Sequence, residues 1–163
     1  MGLSIVGIFH TIIGVVAIIA AIISYVRFGK INLQNLTGKI YFYFTVITSL
    51  SSLALLKHGF NPGHIFAIFI VILVVGAYFL HTNKQGNNKS RYFENFLLSF
   101  SFFLSWVPTI NETFNRVPVG HPIANGPKDP IIGQTLLLIF LFFIVGSIIQ
   151  FRKQKKINSR VEI

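Results

Sequence analysis

Residues 3–26 contain no charged side chain, and four more apolar stretches follow, at about 40–56, 65–80, 93–110 and 131–151. A helix needs about 20 apolar residues to cross the roughly 30 Å hydrocarbon layer of a bilayer. The spacing therefore predicts an all-α, polytopic membrane helix bundle with five transmembrane helices. The second and third stretches are short, so their ends must draw on interfacial residues such as Tyr41, Lys57, His64 and His81. The fourth carries Glu94, three serines and Pro108, and the proline should kink or end it. The first lacks a basic leader and is longer than the apolar region of a signal peptide, so it is expected to be a retained helix.

Composition leads to the same place. Only 11% of the 163 residues are charged and 53% are hydrophobic, with a mean hydropathy of +0.69. A soluble domain carries about 25% charged residues, and this chain could not cover a globular surface with polar groups. The formal net charge is +10. Because the basic residues sit between apolar runs, they read as loop residues of a membrane protein and not as a nucleic-acid surface. With no cysteine, disulfides, thiolate metal ligands and a thiol nucleophile are excluded.

Lys and Arg also set the expected orientation. Arg27, Lys30, Lys39, Lys84, Lys89, Arg91, Arg152, Lys153, Lys155, Lys156 and Arg160 fall on one side of a five-span bundle, and Lys57, Arg116 and Lys128 on the other. The first side should be cytoplasmic, with the N-terminus outside and the C-terminus inside. One transmembrane domain, 1–151, is then followed by a basic cytoplasmic tail, 152–163. Asn61-Pro62-Gly63 marks a tight turn joining the second and third helices. The outer loop, 111–130, holds four of the six prolines and should be irregular, an ordered lid or a disordered segment. A bacterial inner membrane is the expected setting.

Lipid is as apolar as leucine, so small and polar residues, not hydrophobic ones, mark the packed faces. Gly7, His10, Gly14, Ala17, Ala21 and Ser24 form one stripe on the first helix. Tyr41, Thr45, Thr48 and Ser52, with Ser49 beside them, form a seam on the second. His64, Ala67, Val71, Val74, Tyr78 and His81 do so on the third, and Glu94, Leu98, Ser101, Ser105, Pro108 and Glu112 on the fourth. The fifth shows only Gln134, Thr135, Gly146 and Ser147 and is expected at the periphery.

The histidines are the candidate chemistry. His10 and His64 fall within about 4 Å of the same level if their helices are centred in the bilayer. They are candidate cofactor ligands, for haem b, or proton-transfer groups. His10, His58, His64, His121 and Glu112 all reach the outer side and are candidate ligands of a divalent metal. No diagnostic spacing supports either reading. Each residue also has a plainer role: His58, His64 and His81 as interfacial groups, His121 as a loop residue, and Glu112 as an interfacial carboxylate. Glu94 would pair with Arg91 or Lys89, and His10 would hydrogen-bond to Thr45 or Ser49.

His10-x-x-x-Gly14, followed by Gly38-Lys39-Ile40-Tyr41, is similar to a pattern in a family of small bacterial multi-pass membrane proteins of unknown function. The likeness covers about the first 80 residues. Where that pattern often has a second histidine this chain has Gln34. The resemblance implies a membrane bundle and adds weight to His10, without an activity to borrow.

Three functions compete. The first is a His-containing site facing outward, binding haem or a metal for a redox role. The second is a non-enzymatic accessory subunit or small carrier, binding lipid, quinone or a protein partner in the bilayer, as a homodimer or in a larger membrane complex. The third is an enzyme using Glu112 and a histidine as an acid–base pair.

Overall fold

The computed structural model describes residues 5–53, 62–83 and 88–161, and among them it is all helix and loop, without strands. The helices are α1 (Ile5–Phe28), α2 (Leu36–Leu53), α3 (Pro62–Asn83), α4 (Asn88–Arg116) and α5 (Pro130–Val161). Each packs antiparallel on the next in sequence. One end of the bundle, here the basic end, holds the α1–α2 connection, the C-terminus of α3, the N-terminus of α4 and the end of α5. The other, the loop end, holds the 117–129 loop.

α1, α3 and α5 are each long and apolar enough to cross a membrane. Their outward faces are dominated by large apolar side chains: Ile12, Ile72 and Phe142 are 58%, 60% and 68% exposed. In water such faces would drive aggregation. Against acyl chains they are in a matching solvent, and the chain has the character of a membrane protein.

The core lies where the small residues are. Ala17, Ala20 and Ala21 of α1, Tyr41 and Phe42 of α2, Val74 and Ala77 of α3, and Leu98 of α4 form one buried cluster. The α1 stripe faces α2, with Gly14 set against Thr48, because alanine and glycine let two backbones approach closely. The α1–α2 connection closes the basic end. α1 stops at Gly29, whose φ of 70° places it in the left-handed region glycine tolerates, and its N–H reaches back to Tyr25 O at 2.8 Å. The chain then folds inward, burying Ile31 and Leu33. The Ser24 hydroxyl holds this turn from both sides, donating to Lys30 O and accepting from the Asn32 N–H, each at 3.0 Å.

Two features differ from expectation. Pro108 does not end α4, which runs on to Arg116. Next to the proline, Ser105 and Thr109 donate back to the Ser101 and Ser105 carbonyls at 2.9 and 2.7 Å, while the carbonyl that loses its helical N–H to the proline is that of Leu104. Glu94 is held across the helix pair by His81, with Nδ1 donating to Oε1 at 2.9 Å. Lys30, in the connection, also faces this carboxylate; burial pulls the Lys30 pKa below its usual value, Glu94 opposes that shift, and Arg91 adds to it.

The 117–129 loop is irregular but packed. Ala124 is buried between Ile110 and Ile132, and its N–H bonds to Phe114 O at 2.9 Å. Asp129 caps α5: Oδ1 accepts the Ile131 N–H at 3.1 Å, Oδ2 accepts the Asn125 N–H at 2.8 Å, and Pro130 takes the first helical position. These two N–H donors hold the Asp129 carboxyl below its ordinary pKa. A depressed folded-state pKa means that the contribution is complete above the ordinary value of about 3.9 and is lost as pH falls through the lower folded value. Asp129→Asn should therefore lower the protection of the Asn125 and Ile131 amides against exchange at neutral pH, and the wild type should lose the same protection as pH falls through the lowered folded value.

Candidate functional site

The structure describes four of the five candidate ligands, His10, His64, His121 and Glu112. His10 is half-buried on α1, where Nδ1 lies 3.0 Å from both Thr48 O and Ser51 Oγ of α2. A carbonyl can only accept, so Nδ1 carries the hydrogen, and in the neutral ring the Nε2 lone pair remains. The residue is thus tied to α2, through Thr48 and Ser51 in place of the expected Thr45 or Ser49. His64 is buried on α3. His121 is exposed on the loop, and Glu112 is exposed and paired with Arg116 at 2.7 Å. His58 lies outside the described residues. Among the described residues no three His, Asp or Glu side chains come together as a metal would require.

The feature that sequence reasoning missed is on α5. The helix runs past Phe151 to Val161, and Gln150, Gln154 and Asn158, spaced by four, are buried on the face toward α4. Asn95 Nδ2 donates to Gln154 Oε1 at 3.2 Å, and Gln154 Nε2 to Asn158 Oδ1 at 2.7 Å. One turn further in, the Tyr25 hydroxyl donates to Ser99 Oγ at 2.9 Å, and Ser99 Oγ stands 2.9 Å from Gln150 Oε1 and 2.7 Å from Asn95 O. These side chains join α1, α4 and α5 near the basic end. The spacing of four was legible; it passed unnoticed because the last two of these residues sit among lysines.

This polar group forms one end of a cavity. Between α1, α4 and α5 lies a groove of about 430 Å³. Its walls are Ile22 and Val26 of α1, Phe102, Phe103 and Trp106 of α4, and Ile139, Phe142, Phe143 and Gly146 of α5. From Ile139 to Gln150 it extends about 16 Å along α5, at 1.5 Å per residue. Tyr25, Ser99, Ser147 and Gln150 close it at the basic end. Among the described residues no charged side chain lines it. Behind Gln150 a second cavity of about 40 Å³ touches Asn95 and Ser147. It has room for one water. Asn95 Oδ1 and Ser147 Oγ are both buried without a hydrogen-bond partner among the described residues.

No family model matches the chain, nor does any curated protein or solved structure.

Proposed function

We propose that this chain is a five-helix integral membrane protein that holds an amphiphilic, lipid-like molecule in the α1–α4–α5 groove, as a small carrier or accessory subunit. The observation that carries this reading is the shape of the groove's chemistry: a long apolar, aromatic slot with hydrogen-bonding groups at one end only. Ligand sites are mostly apolar, with a few polar groups that fix orientation, and an amphiphile has the same division. α2 and α4 return the chain between the three apolar helices and so cross the bilayer with them. Their polar residues, Tyr41, Thr45, Ser49, Ser99 and Ser101, are buried away from lipid, which supports five spans. The Lys and Arg residues at the basic end support its placement in the cytoplasm. The redox reading at the loop end has less behind it, since no three His, Asp or Glu side chains come together among the described residues, although α2 holds His10 by Nδ1 and leaves Nε2 available.

The test uses the full chain purified in mild detergent, with native mass spectrometry. The expected result is one retained amphiphile per protein, lost in Gly146→Phe. Gly146 lines the groove and a Cβ there meets nothing within 4 Å, so the backbone accepts a side chain at this position. Identical lipid content in the wild type and in a folded Gly146→Phe variant would overturn the proposal.

A further inference from the structure

The polar end of the groove narrows the class of ligand. This step rests on the groove being a binding site, and it concerns the head that the site accepts.

A phosphate or carboxylate head brought into the groove would find no cation among the lining residues, and an unpaired charge in an apolar site is strongly disfavoured. The head must therefore be uncharged. It must also form hydrogen bonds, because Ser147 and Gln150 line that end and the Ser147 hydroxyl has no partner among the described residues. The Gln150 amide sets the sense of the second bond. Ser99 Oγ can donate to Gln150 Oε1, which turns the amide N–H₂ toward the groove. Alternatively, Ser99 Oγ can donate to Asn95 O and accept from Gln150 Nε2, which turns the amide carbonyl toward the groove. Both orientations satisfy Ser99, since a hydroxyl has one hydrogen and two lone pairs. The site can thus offer a donor to a carbonyl head or an acceptor to a hydroxyl head.

The walls add a preference for a flat head. Phe102 stands edge-on to Trp106 with centroids 5.9 Å apart, and Phe103 stacks on Phe143 at 5.5 Å. Such faces favour offset stacking with another ring. An uncharged planar ring bearing oxygens that alternate between carbonyl and hydroxyl, on a long apolar tail, meets all three conditions. We infer that the α1–α4–α5 groove binds an isoprenoid-type quinone and its quinol, with the ring at Gln150 and Ser147 and the tail running toward Ile139.

Trp106 is the only tryptophan in the chain and stands in the groove wall, so its emission reports on this site alone. The purified full-length protein is titrated with a decyl-benzoquinone, and binding of its quinol and of a decyl-benzene lacking ring oxygens is measured by competition. The expected result is saturable quenching by the quinone. The quinol should compete within about threefold, and the decyl-benzene at least tenfold more weakly, as follows from losing two hydrogen bonds. Gln150→Leu should weaken quinone and quinol alike by about fivefold, and Ser147→Ala by a similar factor. If decyl-benzene competes as well as the quinone, the slot binds chains and the quinone inference fails while the amphiphile reading stands. If quenching is linear and unchanged in Gly146→Phe, the quinone only partitions into the micelle and both readings fail.

Discussion

Gly38→Ala should lower the stability of the bundle by about 2 kcal/mol or more, the range in which overpacking of tight sites falls. Gly38 is in the first turn of α2, and a Cβ there would collide with the backbone of Asn32 and Leu33 in the α1–α2 connection. No rotamer change relieves a clash with a main chain. The connection would have to lift, drawing Ile31 and Leu33, 1% and 3% exposed, out of the basic end, and loosening the hydrogen bonds that Ser24 makes to Lys30 and Asn32. Thermal unfolding of the two proteins in the same detergent measures the effect. Gly133→Ala is the matched control, because a Cβ at that position meets nothing within 4 Å. It should leave the midpoint unchanged or raise it slightly, as alanine is the better helix former. Equal midpoints for Gly38→Ala and the wild type would show that the connection is not seated against α2 as described.

The second large effect belongs to Tyr41. The side chain is fully buried at the meeting of four helices, and its hydroxyl lies 2.7 Å from Ser101 Oγ. Tyr41→Ala should cost about 4 kcal/mol, as for other buried aromatics cut to alanine. Tyr41→Phe separates volume from hydrogen bonding. It should cost only about 1 kcal/mol, because Ser101 keeps its bond to Leu98 O at 2.9 Å. A phenylalanine variant as unstable as the alanine one would mean that the polar contact, and not the ring, holds these helices together. Denaturation in detergent with a common reference for the three proteins decides the matter.

These two residues show what the sequence could and could not reveal. The opening Gly38-Lys39-Ile40-Tyr41 stood out as a pattern before its reason was visible: the glycine admits a neighbouring backbone, and the tyrosine fills the core. The stripe Gly14, Ala17, Ala21 and Ser24 was legible for a related reason, since small residues at helical spacing on an otherwise Ile- and Val-rich helix can only mark a close packing face. For the histidines, depth in a helix says nothing about azimuth. His10 turns to α2, while His64 is buried on α3 and His121 stays out on the loop. The groove was not legible at all. It lies where Tyr25 of α1 reaches α4 and α5 packs along α4, and no local pattern encodes a space that three helices leave between them. Gln150, Gln154 and Asn158 could have been read from their spacing alone, had the lysines around them not suggested a solvated tail.

The way α5 is fastened has a consequence for traffic. Ile132 and Leu136 fix it to α4 at the loop end, Gln150 and Gln154 fix it at the basic end, and neither main core cluster includes any α5 residue. Between these ends α5 rests on α4 through ring contacts, Phe140 on Phe103 and Phe143 on Phe96, Phe100 and Phe103, and the slot lies beside that span. On the amphiphile reading proposed above, its way in is sideways, past Val26 and Phe142, 82% and 68% exposed, without disturbing the four-helix core.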